Sequence, residues 1–274
     1  MNWDVMMTIA WKDLWLALKQ PMVLWPLILL PVILLVGMPA FMAGTFMSIP
    51  PEEFTQDADM DAFFNNMPES MLADLRVIES PREQMVYLFL VYIFAPMFLV
   101  LPLMVSSVIG SDSFAGEKER KTMEALLYTP TTDVELFGGK LLAAWIPAVV
   151  VAVVGAGLYW AAINVVTTVM GGFQMWPNAM WGVMVFWLAP AAALLGIAGT
   201  VLVSSRVSTT QESYQASGML VLPVVGFMIA QVSGLLYLNA VIVLMLGLVV
   251  WVIAGVLLFI GIGTFQRSEL IAKL

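Results

Sequence analysis

The chain has no cysteine and no histidine among its 274 residues, and only 11% of them are charged. Without cysteine there is no disulfide and no thiolate metal site. Without histidine, Ser-His-Asp catalysis, HExxH zinc sites and histidine proton relays are excluded. Soluble domains carry about a quarter charged residues. The scarcity here, with a mean hydropathy of +0.95, places the chain among polytopic membrane proteins. Six apolar stretches, at about 22–47, 85–110, 141–170, 178–203, 218–236 and 240–265, contain no Asp, Glu, Lys or Arg. Each is long enough to cross about 30 Å of hydrocarbon as a helix. They are too long and too uniform for the ~10-residue alternating strands of a β-barrel. The expected fold is all-α and polytopic, with six transmembrane helices.

Three further absences bear on mechanism. The spans hold no ionisable group of the kind that binds a coupling proton. Their polar residues are neutral: Ser106, Ser107, Asn164, Thr167, Thr168 and Gln231. No P-loop is present either. Gly139-Lys140 resembles the end of one, but Val134 stands at the first glycine position and Leu141 at the Ser/Thr position. No sequence repeat of the inverted-transporter kind is evident. Energy for transport would have to come from another protein.

What charge there is lies unevenly. Lys12, Lys19, Lys118, Arg120, Lys121, Lys140, Arg206, Arg267 and Lys273 fall on one side of the six-span arrangement, and only Arg76 and Arg82 on the other. This bias predicts cytoplasmic termini. The loop at 48–84 lies outside and carries nine acids against two arginines, so most of the net charge of −8 belongs to it. Within it a short helix is expected at about 68–79, with Asn66 and Glu69 at cap spacing and Met71, Leu72, Leu75 and Ile78 on an apolar face. Asp57, Asp59 and Asp61 suggest a calcium loop. An EF-hand needs glycine at the sixth position and glutamate at the twelfth, where Ala62 and Pro68 stand, so a solvated acidic loop is expected.

Residues 3–19 are too short and too mixed to span. Trp3, Met7, Ala10, Trp11, Leu14 and Leu18 recur at helical spacing, opposite Asp4, Thr8, Lys12 and Asp13. The segment is expected to lie along the inner membrane surface as an amphipathic helix, with Gln20-Pro21 supplying the bend. The alternative is a cytoplasmic extension of the first span. Asp4 and Asp13 interrupt it, so a cleaved signal peptide is not expected. The organisation is thus an interfacial helix at 1–21 and a six-span unit at 22–274, with an external loop at 48–84 and a cytoplasmic loop at 111–140.

The loop at 111–140 holds a charged island, 116–140, between two apolar runs. Residues 117–128 can form a short amphipathic helix: Met123, Leu126 and Leu127 cluster, and Glu117–Lys121 and Arg120–Glu124 have i, i+4 spacing. Thr129-Pro130 would stop it. Thr132 and Glu135 form a capping box for the helix that becomes the third span. A small apolar cluster ringed by charge suits a helix-in-groove contact. A well-capped turn back into the membrane with nothing docked on it is the other reading.

At these residues the sequence resembles the ABC-2 type permease family, the membrane subunits of a class of ABC exporters. The family pattern is roughly E-x-G-T-[LM]-E-x-L-L-x-T-P, followed by E and G-K. Here it reads Glu119, Arg120, Lys121, Thr122, Met123, Glu124, Ala125, Leu126, Leu127, Tyr128, Thr129, Pro130, then Glu135, Gly139 and Lys140. Ser205-Arg206 with Gln211-Glu212, and Phe265-Gln266-Arg267 with Glu269-Leu270, are also similar to the family. Lys121 departs from it, since many members have glycine there, and it is expected to leave the helix more regular. The resemblance implies a cytoplasmic coupling helix at about 120–128, seated in a groove of a separate ATPase subunit present in two copies. ATP and Mg would bind to that partner, and no cofactor to this chain. It also implies two permease copies, most simply a homodimer, or two related permeases, forming a path at their interface in the plasma membrane. Few polar groups in the spans suit an amphiphilic or lipid-like cargo, with membrane lipid around the bundle and no nucleic-acid partner. Two other readings stand beside this one. The chain could be a scaffold that recruits an ATPase without moving a solute. It could instead be an intramembrane enzyme pairing Ser106 or Ser107 with Lys140, although most membrane serines bond their own helix.

Overall fold

The computed structural model describes residues 2–50, 67–122, 131–207 and 209–264. Among these residues there is no strand, and six helices are long and apolar enough to cross a membrane. They are span 1 (Val23–Ser48), span 2 (Ala95–Glu119), span 3 (Asp133–Val169), span 4 (Ala179–Ser204), span 5 (Thr210–Val232) and span 6 (Ala240–Gly261). Helix α1 (Trp3–Leu18) precedes them. Helices α2 (Glu69–Arg76) and α3 (Pro81–Tyr87) lie between spans 1 and 2. The Asp57–Asp61 acids, Asn66 and the 265–270 segment fall outside the described residues.

Several helices outrun their apolar stretches. Span 3 begins at Asp133, span 2 continues to Glu119, and span 5 begins at Thr210 where a polar loop was expected up to residue 217. Hydropathy reports which residues tolerate hydrocarbon, whereas caps decide where a helix begins. Thr209 accepts from Glu212 N at 3.2 Å and so starts span 5 two turns early. The expectation of charge-free spans is therefore corrected. The continuous helices bury Asp112, Glu117, Glu135 and Lys140, all near the α1 end of the bundle.

Spans 2 and 4 form the centre. Their most apolar stretches are 83% and 67% buried, against 17% for spans 5 and 6. Small residues allow the close approach. A methyl group on Gly196 would sit 2.7 Å from the Leu103 carbonyl, and one on Gly110 would touch Thr200 Cγ2 at 3.4 Å. The Ala192, Gly196, Thr200 spacing thus serves packing within the chain.

The chain that leads into span 2, on the side far from α1, is broken. Leu88–Ile93 is a π-turn, the chain bends at Phe94, and Pro96 has no N–H to give the Tyr92 carbonyl. In hydrocarbon a bare carbonyl is costly. Three side chains from three spans supply the donors: Tyr159 to Leu90 O, Trp181 Nε1 to Val91 O at 2.8 Å, and Gln231 Nε2 to Tyr92 O at 3.2 Å. Helix α2 closes this end, burying Met71 and Leu75, with Ile78 buried just beyond its end. It is shorter than the expected 68–79, starting at Glu69 after Pro68 and ending at Arg76. The Asp74 carboxylate accepts from Tyr92 OH at 2.6 Å and from Asn178 Nδ2 at 3.1 Å, tying the loop to the chain that leads into span 2 and to the N-cap of span 4.

Helix α1 lies on the start of span 3. A methyl group on Gly139 would stand 2.8 Å from Ile9 Cβ and 2.9 Å from Met6 O, so this contact requires a glycine there. Met6, Ala10, Asp13 and Ala17 are buried in the contact, while Trp3, Trp11 and Trp15 are exposed. The expected faces are corrected in two respects: Asp13 belongs to the packed side, and so does Ala10, away from the exposed Trp3, Met7 and Trp11.

Candidate functional site

The buried charges gather where α1, the end of span 2 and the start of span 3 meet. Lys140 Nζ donates to Glu117 Oε2 at 2.5 Å, to Asp13 Oδ2 at 3.2 Å and to the Ser113 carbonyl at 2.7 Å. Its ammonium also lies 5.6 Å from the Phe114 ring centroid. Lys12 completes the set, 3.0 Å from Asp13 Oδ1 and 3.6 Å from Glu117 Oε1. Two lysines thus balance two carboxylates, and Lys140, Asp13 and Glu117 are nearly fully buried. Burial works against the Lys12 ammonium, but Asp13 and Glu117 outweigh it and hold its pKa above the ordinary value. Charges this dry persist only when paired on every side.

A second group lies one turn away. Asp112 Oδ1 accepts from Arg120 Nη1 at 2.9 Å and from Gln20 Nε2 at 2.7 Å. Gly116 makes the Arg120 fold-back possible, since a Cβ there would lie 2.8 Å from Asp112 Oδ1 and 3.1 Å from Arg120 Nη1. Lys118 Nζ donates to Val207 O at 2.8 Å. Glu119 Oε2 accepts from Thr210 N at 2.9 Å and from Thr210 Oγ1 at 2.6 Å, capping span 5. Ser111 and Ser213 share a hydrogen bond of 2.8 Å. Three consecutive residues, Glu117, Lys118 and Glu119, therefore hold α1 with span 3, the chain leaving span 4, and the start of span 5.

Span 2 then ends abruptly. Lys121 has φ +55°. Thr122 N donates to Glu117 O at 3.0 Å and Lys121 N to Lys118 O at 3.2 Å, the Schellman pattern. The helix that begins at Glu117 thus stops at Glu119, and the proposed Glu117–Lys121 pair does not form, while residues 123–128 and the Arg120–Glu124 pair fall outside the described residues. Glu117 pairs with Lys140, and Arg120 with Asp112. An exposed i, i+4 pair is worth only about 0.3–0.5 kcal/mol, too little to draw either group from a buried partner. The expectation that Lys121 regularises the helix is likewise overturned. Lys121 takes the left-handed conformation that glycine adopts without steric cost.

Of the sequence-derived site residues, Glu119, Arg120, Lys121 and Thr122 come together at this turn. Met123, Glu124, Leu126, Leu127, Tyr128, Thr129 and Pro130 lie outside the described residues. Thr132 and Glu135 form their capping box, Glu135 N donating to Thr132 Oγ1 at 3.3 Å and Thr132 N to Glu135 Oε2 at 3.1 Å. Glu135 also accepts from Asn2 N at 2.6 Å, joining the cap to α1. Sequence reasoning missed Lys12, Asp13, Gln20, Asp112, Gly116 and Thr210 as members of one site. The available signal was the charge flanking the apolar runs, with Lys12 and Asp13 before the first, Asp112 and Glu117 after the second and Lys140 before the third, each needing an opposite charge.

The serine–lysine pairing finds no geometry here. All three Lys140 acceptors are oxygens of other groups, and Ser106 donates to Leu103 O at 3.0 Å. The arrangement is mechanical: rigid, charge-balanced links running from one turn of chain to four elements. A family model described as an ABC-2 family transporter protein matches residues 7–260. No curated protein matches the chain.

Proposed function

The chain belongs to the ABC-2 transporter family, and from that premise we propose that it is the permease of an ATP-driven exporter, worked through the ion-pair hub at the end of span 2. As a multi-pass membrane component of such a transporter it has an ATPase for a partner. In this reading the ATPase grips the 120–130 segment in the cytoplasm and supplies ATP and Mg chemistry that this chain does not perform. Closure of two ATPases displaces the segment. The displacement enters at the Lys121 turn and passes through Glu117, Lys118 and Glu119 to α1, span 3 and span 5.

The observation that carries this is the fan of bonds from three consecutive residues. A floppy connector would absorb motion; this one hands it to four elements at once. The tight fit of span 4 on span 2 argues for a cargo route along the bundle's face rather than through its centre. That favours two copies enclosing the route and an amphiphilic or lipid-like cargo.

The test is a Glu124→Lys, Leu127→Asp double variant. It is expected to insert normally and lose co-purification with the ATPase. Unchanged co-purification would sink the docking assignment. ATPase stimulation by candidate amphiphiles in reconstituted vesicles separates an exporter from a scaffold that only recruits the ATPase.

A further inference from the structure

At the end of the bundle far from α1, helix α2 is attached by few polar bonds. Its underside, Met71 and Leu75, is nearly fully buried, while the exposed Arg76 pairs with Glu69 of the same helix at 2.6 Å. Gln84 of α3 holds its trailing end, donating through Nε2 to Ile78 O at 2.7 Å and to Leu75 O at 3.3 Å. Of its described side chains, Asp74 is the one that bonds beyond the helix. All its donors converge on Oδ2: Tyr92 OH at 2.6 Å, Asn178 Nδ2 at 3.1 Å and Tyr87 OH at 3.5 Å. Hydrogen bonds to a carboxylate are about twice as strong as neutral ones, and the shortest of these three comes from Tyr92.

Tyr92 has a second attachment. Its carbonyl, which Pro96 leaves without an N–H, accepts from Gln231 Nε2 at 3.2 Å. Gln231 follows Thr210 by 21 residues in span 5, about 32 Å along the helix axis. Span 5 thus bears on the hub at one end, where Glu119 caps Thr210, and on Tyr92 at the other. Two features make the far contact the one to yield. Gln231 Oε1 is buried with no hydrogen-bond partner among the described residues, so this amide is half satisfied where it stands. Span 5 is also only 17% buried in its most apolar stretch and carries a 3-10 turn at Met219–Val221. The neighbouring Leu90 and Val91 carbonyls are held instead by the fully buried Tyr159 and Trp181.

We propose that α2 is a lid on this end of the bundle, latched by Asp74 to Tyr92 and released when span 5 draws Gln231 off the Tyr92 carbonyl. A carbonyl stripped of its donor in an apolar setting is costly, so its peptide turns toward another donor. That turn carries the Tyr92 hydroxyl away from Asp74, leaving the longer bonds to Asn178 and Tyr87. The inference rests on the transporter reading for the motion of span 5. Its test needs no ATPase and so stands or fails apart from the docking assignment.

The chain has no cysteine, so one introduced thiol is a unique reporter. Leu75→Cys places it beneath α2, and Ser213→Cys, buried at the hub end, reports loosening of the whole bundle. The full chain in lipid nanodiscs is reacted with a polar maleimide, and the rates are followed by mass spectrometry. Asp74→Ala and Tyr92→Phe should each speed labelling of Leu75→Cys about tenfold, the worth of one hydrogen bond to a charged group. Ser213→Cys should stay slow. Gln231→Leu, whose side chain bonds to Tyr92 and not to α2, should also speed labelling of Leu75→Cys. Added to Tyr92→Phe it should change nothing further, because the latch is already open. A Leu75→Cys rate unmoved by Asp74→Ala overturns the lid. If that variant does not insert, an unchanged rate in Tyr92→Phe has the same force. No effect of Gln231→Leu, or one that adds in full to that of Tyr92→Phe, overturns the link to span 5. Equal acceleration at Ser213→Cys means general loosening and overturns both.

Discussion

Lys140 carries more of the hub than any other residue, because three acceptors converge on one ammonium. Lys140→Met keeps the length of the side chain and strands Asp13 and Glu117 beneath α1. It should cost about 3–5 kcal/mol, the usual penalty for breaking a buried pair by removing one partner. Adding Asp13→Asn and Glu117→Gln should recover most of the loss, since neutral partners need no counter-charge. Thermal unfolding in detergent reads both steps, and a midpoint indifferent to Lys140→Met would mean the cluster is hydrated. Lys121 offers the opposite sign. Its side chain is exposed and its backbone left-handed, so Lys121→Gly should stabilise by about 0.5–1 kcal/mol after the entropy of the unfolded glycine is counted. A lower midpoint would show that the lysine side chain holds something in place.

Among elements, span 2 depends most on its neighbours. Gln231→Leu removes the donor that replaces the missing Pro96 N–H, leaving the Tyr92 carbonyl bare in an apolar setting. A loss of about 1–3 kcal/mol is expected, together with faster hydrogen exchange around Phe94. Unchanged exchange would mean that another group already satisfies that carbonyl. Elements were the most legible level of the sequence. Six charge-free runs became six helices, and Met71 and Leu75 of the expected apolar face became the buried face of α2, with Ile78 buried just beyond its end. The errors fell at helix ends, for one reason: hydropathy stops where hydrocarbon stops, while Thr132 and Thr209 start helices outside it. The turn at Lys121 was missed for another. The i, i+4 rule weighs only neighbours along a helix, whereas the partner of Glu117 stands 23 residues away.

For the whole molecule, the site was half legible. The 116–140 island and its cap could be read locally, and so could the resemblance that led to the family. The links that turn the island into a hub could not, because Gln20 reaches Asp112 across 92 residues and Lys140 reaches Asp13 across 127. No periodicity encodes such pairs. They become visible only once Gly139 has let α1 settle on span 3.

The broken stretch that leads into span 2 also constrains how the protein is made. Its carbonyls at Leu90, Val91 and Tyr92 are satisfied by residues of spans 3, 4 and 5, and the last of these, Gln231, follows Tyr92 by 139 residues. A ribosome adding about 5–20 residues per second needs roughly 7–28 s to bridge that interval. Through that time the stretch leading into span 2 holds a carbonyl that pure lipid would not tolerate. Biogenesis therefore requires a sheltered waiting place, such as the insertion machinery itself, until the fifth span arrives.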